Sequence, residues 1–241
     1  MSLFILLVLA SVGTSIISAV LGMAGGVVLL SIMTLLLPLP VIIPIHGIVQ
    51  LVSNSSRCFS LRKYVDSKIL FPFLVGLPFG VGASYLLLRT SPDPRIFLLS
   101  VAVAIIFAVY RGKTKPIMIS HKAFVWVGFM SGFLSLLIGA TGPFLAMFFL
   151  RNDLEKEEII ATKASTQLFT HLLKVPAFLA LSFDYGAWSS HIILMSIGVI
   201  LGTQIGVASL KKLNNRWFWI LFRSALTLAA IRLIYKAWTM S

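Results

Sequence analysis

The sequence predicts an all-α polytopic membrane protein made of two inverted-topology repeats, each a glycine-broken helical hairpin plus three transmembrane helices. Four observations carry this. The 241 residues are 59% hydrophobic and 11% charged, with a mean hydropathy of +1.01, whereas soluble domains carry about 25% charged residues. Apolar runs recur from end to end, each near the roughly 20 residues that span a bilayer. The chain also contains one stretch twice. Gly139, Gly142, Gln167 and Lys174 each lie 117 residues after Gly22, Gly25, Gln50 and Arg57. Such a period shapes the whole fold, and paired glycine-interrupted segments in two halves point to a transport site. Finally, the basic residues choose the topology. With four simple spans per half, the loops on the two sides hold eight and seven Lys or Arg, which is no bias. If each glycine-broken segment instead returns to the side it entered from, loops 62–68, 111–122, 151–158 and 211–216 share one side with twelve, against three on the other. The positive-inside rule selects this second arrangement.

The elements follow in order. Residues 2–37 are almost all apolar, and one straight helix of that length would exceed ~50 Å against a core of ~30 Å. The break belongs at Gly22-Met23-Ala24-Gly25-Gly26, with a helix to about Leu21 and a shorter one to Leu37. Gly25 and Gly142 are expected in non-helical backbone at membrane depth. Pro38, Pro40 and Pro44 make the next turn. Helices follow over 41–61 and 69–88, the second presenting Gly76, Gly80, Gly82 and Ala83 as a closely packed face. After a turn at 89–95 with Pro92 and Pro94, Ile96–Tyr110 spans again, and 111–122 joins the halves, which are taken as 1–118 and 119–241 of one membrane domain. The second half repeats this. A helix covers 123–138, the break is Gly139-Ala140-Thr141-Gly142-Pro143, and 144–150 is too short to span. A polar loop covers 151–158 and helices cover 159–181, 188–210 and 217–235. Gly198 and Gly202 match Gly76 and Gly80 at an offset of 122.

Composition excludes several classes. The net charge of +13 comes from Lys and Arg mostly in loops, while all seven acidic residues fall in loops or at helix ends. That pattern fits positive-inside orientation and anionic lipid. It forms no continuous basic patch for nucleic acid. Cys58 is the only cysteine, so no intrachain disulfide or cysteine-based metal site exists. No metal-ligand spacing, Ser-His-acid set or phosphate loop is present, so neither an enzyme nor a cofactor is expected. Met1–Leu21 lacks the positive n-region of a secretory signal and is needed by the repeat, so it is expected in the mature protein. Trp188, Trp217, Trp219 and Trp238 suit interfacial belts.

The candidate site lies on the duplicated stretch. Gln50, Asn54 and Arg57 are spaced i, i+4, i+7 on one helix face, and Gln167, His171 and Lys174 repeat that spacing. Polar groups in a membrane helix are costly and face a cavity or each other. The glycine breaks, Gly22, Gly25 and Gly26 in one half and Gly139 and Gly142 in the other, add backbone N–H groups at helix starts, an anion cradle. Thr141 is the one hydroxyl inside a break. His171 is the one titratable group expected near the midplane with a neutral-range pKa, as a proton carrier or a plain hydrogen-bonding histidine. A second reading of the same residues stands beside the first: Gln and Asn as interhelical glue, with Arg57 and Lys174 snorkelling to the interface. For Arg223 and Arg232 on the last helix, snorkelling or pairing with lipid is the default.

The order of these motifs resembles the sulfite exporter TauE/SafE family of membrane permeases. The resemblance rests on Gly22-Met-Ala-Gly25-Gly26, Pro38-Leu39, Ser53-Asn54-Ser55-Ser56, Arg62-Lys63 and the glycines from Gly76 to Gly82. In the second half it rests on Gly139-Ala-Thr-Gly142-Pro143, Ala164-Ser165-Thr166, Asp184-Tyr185-Gly186 and Gly198-x3-Gly202. Pro143 stands where a third glycine is usual, and His46 and Lys163 precede the small residues. The resemblance implies a multi-pass protein of the cytoplasmic membrane that transports small organosulfur or sulfur oxyanions, such as sulfite or sulfonates, as a secondary exporter. The implied partners are a small anionic substrate, the lipid bilayer, a coupling proton or sodium ion, and a second copy as a homodimer. Two rivals remain: a passive anion channel on the same scaffold, and a non-transporting membrane partner protein, which would leave the duplicated polar faces unexplained.

Overall fold

The computed structural model describes residues 2–22, 24–90, 119–139, 141–150 and 153–239, together with Asp93, Arg95, Leu99, Ala102, Val103, Ile105 and Ile106. Among these, nine α-helices occur and no strand: α1 Ser2–Leu21, α2 Ala24–Leu36, α3 Leu39–Ser60, α4 Ser67–Leu88, α5 Phe124–Ile138, α6 Gly142–Met147, α7 Lys156–Ala180, α8 Ser189–Lys212 and α9 Asn215–Thr239. Most of the expected helix at Ile96–Tyr110, the turn prolines Pro92 and Pro94, most of the 111–122 linker, and Met23 and Ala140 of the two motifs lie outside the described residues.

The breaks sit where the glycine motifs put them, at the first glycine of each and three residues before Gly25 and Gly142. Gly22 has φ +75° and Gly139 φ +80°, the left-handed region that favours glycine and ends a helix. Gly25 is the second residue of α2 and Gly142 the first of α6, so both are helical and not in irregular backbone. Gly25 serves packing: a Cβ there would lie 1.7 Å from the carbonyl oxygen of Thr14. Since Thr14 is eleven residues earlier on α1, α2 folds back along α1 as a hairpin. Other boundaries shift slightly. Pro44 lies inside α3 rather than in the turn, while Pro40 takes the first helical turn, where its missing N–H costs nothing. A capping box between Glu155 and Glu158 starts α7 earlier than expected, at Lys156.

Five stretches are long and apolar enough to cross a membrane by length and composition: Phe4–Leu21, Ser67–Leu88, His121–Ile138, Gly186–Lys212 and Asn215–Thr239. The protein is a multi-pass membrane protein. The helices α3 and α7 are as long, yet carry the buried polar side chains, and they pack against each other inside the bundle.

The largest helix contacts join the first half to the second. In α4 against α5, a Cβ at Gly76 would meet the Val125 carbonyl oxygen at 1.8 Å, at Gly80 that of Phe129 at 1.8 Å, and at Gly132 that of Leu77 at 2.4 Å. Position rises together on both helices, so they run in the same sense. The pair α1 and α8 does likewise: Gly198 abuts Val8 and Ser11, Gly202 abuts Val12, and Gly206 abuts Ile16. Close backbone approach of this kind is how helices associate in lipid. Gly82 takes no part, since a Cβ there would meet nothing within 4 Å. By contrast α3 and α7 run in opposite senses. His46 lies by His171, Gly47 by Lys174 and Cys58 by Ser165.

Candidate functional site

The opposed pair α3 and α7 brings the two duplicated faces together in tiers. In the middle stand Gln50 and Gln167, which line a small cavity with Ser18, Gly26, Val27, His46, Gly142 and His171. Its volume is about 10 Å³, enough for about one water. On one side His46 and His171 face each other edge-on with ring centroids 6.1 Å apart. Beyond them Lys174 Nζ donates to the Gly139 carbonyl at 2.6 Å. His46 Nε2 pairs with the Gly26 carbonyl at 2.9 Å.

On the other side lie Asn54, Arg57 and Lys163. Arg57 donates from Nη1 to Asn54 Oδ1 at 3.1 Å and from Nη2 to Ser53 Oγ at 3.2 Å. Ser53 in turn belongs to a buried hydroxyl cluster with Ser15 and Thr203 that ties α1, α3 and α8 together. Asn54 Nδ2 donates to the Gln50 carbonyl. Lys163 Nζ donates to the Gly22 carbonyl and, at 3.1 Å, to Gln167 Oε1.

Burial makes this arrangement unusual. Lys163 and Lys174 are 0% exposed and Arg57 1%. Snorkelling to the interface therefore does not describe Arg57 or Lys174; both are packed inside the protein. No carboxylate contacts these three cations among the described residues. Four further buried polar atoms, Arg57 Nε, His46 Nδ1, His171 Nδ1 and Thr141 Oγ1, have no hydrogen-bond partner there. Buried cations normally need a paired charge. This cluster has carbonyls and amides but no acid, so chemically it is fitted to attract an anion.

The sequence expectations divide. Gly26, Gly142, Gln50, Gln167 and His171 meet at the cavity. Asn54, Arg57 and Lys174 flank it one tier away. Gly22 and Gly139 present carbonyl oxygens to lysines, so at these two glycines the break accepts hydrogen bonds, whereas an N–H cradle was expected. Gly25 packs on α1, and Thr141 is buried outside the cavity lining. His171 does not stand alone, because the His46 ring is beside it. Two residues of the cluster escaped assignment to the site, His46 and Lys163. They too are 117 apart. Extending the two polar faces by one turn would have found them, since His46 lies four residues before Gln50 and Lys163 four before Gln167.

The family model for the sulfite exporter TauE/SafE matches residues 7–233, nearly the whole chain. The chain belongs to the TauE/SafE sulfite exporter family. This is a family of membrane permeases, so its tie to this chain supports a transporter role and accounts for the polar helices at the centre of an apolar bundle. No curated protein and no solved structure matches.

Proposed function

We propose that this TauE/SafE member is a secondary transporter that exports small sulfur oxyanions or organosulfonates across the cytoplasmic membrane, binding them between α3 and α7. The observation that carries the reading is the set of three fully buried cations, Arg57, Lys163 and Lys174, around the Gln50–Gln167 pair, with no carboxylate in contact among the described residues. An anion leaving water loses its hydration and needs charge and N–H donors in return. The amides of Gln50 and Gln167 and the free Nε of Arg57 supply donors that a monovalent or divalent oxyanion satisfies. The cavity holds about one water, so an oxyanion enters only as the α3 and α7 faces part, which is how alternating access works at a repeat interface.

Inverted-topology repeats form part of the proposal. In support, α2 folds back on α1, α8 runs with α1, α5 runs with α4, and α3 opposes α7. Traced through these senses, α1 and its repeat mate α5 point in opposite directions. The basic loops also gather at one end: Asp66 faces His121 at 4.0 Å, the Asp66 N–H donates to Thr162 Oγ1, and Lys156 donates to the Leu213 carbonyl. By the positive-inside rule that end is cytoplasmic. A proton or sodium ion is the proposed coupling ion, and a homodimer the proposed assembly.

The test is counterflow in proteoliposomes. Vesicles preloaded with millimolar sulfite should concentrate trace labelled sulfite, with saturation and competition by a sulfonate. Ohmic sulfite current without saturation or counterflow would instead establish the passive anion channel, and absence of any sulfite or sulfonate flux would refute the transport reading.

A further inference from the structure

The end of the bundle that collects the basic loops carries a cleft that the central site does not use. It lies between the last turns of α3 and α8. Gln204 bridges its floor, donating from Nε2 to Ser56 Oγ at 3.1 Å and to Ser60 Oγ at 3.3 Å. Two adjoining cavities share Ser60 and Gln204, one of about 510 Å³ reaching Lys211 and Lys212, the other of about 480 Å³ reaching Phe59, Arg62 and Lys63. All four cations are exposed, and Arg62 stacks on Phe59 with its Cζ 4.8 Å from the ring centroid.

The nearby acids are occupied elsewhere. Asp66 caps α4 and faces His121, Glu155 and Glu158 form their capping box, and Glu157 pairs with Lys156. Lys211 and Lys212 stand in the last turn of α8 and complement its dipole. That explains the presence of two cations, but not a cleft in which they face two more across a shared polar floor. Like charges so arranged repel until an anion sits between them. The walls of the cleft lead directly onto apolar, lipid-facing helix surface: Phe59 is 70% exposed, Leu201 56% and Ile205 53%. The occupant therefore has an anionic head at the membrane surface and an apolar body beside it. A cation pair on each side of Gln204 matches a head with two separate phosphates. Basic pockets between membrane helices on the cytoplasmic side bind lipids of this chemistry.

We propose that this cleft binds a diphosphatidyl lipid of the cardiolipin class, with Arg62 and Lys63 on one phosphate and Lys211 and Lys212 on the other. The site does not depend on which anion the central site carries.

The test is native mass spectrometry of the purified protein, supported by thermal melting. The probes are cardiolipin, phosphatidylglycerol at twice the molarity to equalise phosphate, phosphatidylcholine, and inorganic phosphate. Cardiolipin should stay bound and raise the melting temperature more than phosphatidylglycerol does. The double variants Arg62→Gln/Lys63→Gln and Lys211→Gln/Lys212→Gln should each lose roughly tenfold or more in cardiolipin affinity. Lys122→Gln, an exposed cation at the same end, should lose little. Binding that merely follows total phosphate, an equal loss in Lys122→Gln, or displacement of cardiolipin by millimolar inorganic phosphate would each overturn the proposal, the last in favour of a free-anion site. Because mass spectrometry counts lipid on folded protein, a double variant that melts early still reports.

Discussion

Lys174 donates its ammonium to the carbonyl oxygen of Gly139 at 2.6 Å, and from the same helix Lys163 does so to Gly22. The two lysines are eleven residues apart on α7, about three turns and ~16 Å along its axis. A single helix therefore holds the open ends of both broken segments, α1 and α5. A helix C-terminus leaves carbonyls unpaired and carries negative partial charge, so each lysine answers a need created by the break itself. The same ammonium groups are the charges an anion would seek. On the proposed function, anion binding and the stability of the breaks thus draw on the same two side chains.

Replacement of Lys174 should show both roles. Lys174→Met should weaken sulfite binding to purified protein roughly tenfold or more, because hydrogen bonds to charged groups contribute about 1.5–3 kcal/mol. It should also lower the melting temperature without ligand, since the Gly139 carbonyl loses its partner. Lys68→Met, at an exposed position, should do neither. Gln167→Leu should weaken binding less than Lys174→Met, as a neutral donor is worth less. Isothermal titration decides, and unchanged affinity in both Lys174→Met and Gln167→Leu would mean that the duplicated face is only structural.

Lys163 should matter as much as Lys174, although it lies on the other side of the glutamine pair. We expect Lys163→Met to weaken sulfite binding by roughly tenfold as well. The double variant measures how far the two tiers act through one ligand. If a single anion bridges them, the losses will not be additive; simple additivity would indicate two separate tiers.

Glycines of the first break should separate by what lies in front of them. At Gly25 even a methyl group would collide with the Thr14 backbone, so Gly25→Ala should disturb the α1–α2 hairpin and reduce folded yield. At Gly26 a Cβ would sit 3.4 Å from Gln50 Oε1, so Gly26→Ala should fold and crowd the cavity, reducing transport instead. Gly13, with nothing within 4 Å of such a Cβ, should tolerate alanine in both respects. Fluorescence-detected size exclusion for yield, alongside counterflow for transport, checks this split.

Topology is accessible by labelling. In a Cys58→Ala background, cysteines introduced as Tyr64→Cys and Leu213→Cys should react from the cytoplasmic side, and Gly186→Cys from the opposite side. Reaction of the residue 64 and residue 186 cysteines from the same side would contradict the inverted arrangement.

Much of the site was legible because it follows local periodicity. The i, i+4, i+7 spacing of Gln50, Asn54 and Arg57, and its copy 117 residues on, needs only helix geometry to define a face. The glycine breaks were legible because an apolar run longer than a bilayer must fold back. Gly25 was misread because its purpose lies in Thr14, on a different helix. Lys163 was passed over because the repeated face was read only from Gln167 onward, one turn after it. Likewise, nothing in the spacing of His46 and His171 predicts that their rings meet, since they are not repeat mates; they become neighbours only because α3 and α7 cross in opposite senses.

The amino-acid sequence by itself determined that this is a membrane protein of repeated broken helices with two matching polar faces, because hydrophobicity and period act along the chain. Tertiary structure alone decided that α3 and α7 oppose each other, that three cations are buried with no carboxylate in contact among the described residues, and that Lys163 and Lys174 of α7 reach the carbonyls of Gly22 and Gly139. The physical reason is that these depend on how closely helices far apart in the chain approach. Gly76, Gly80, Gly198 and Gly202 permit that approach through backbone contacts, whose partners no local pattern names.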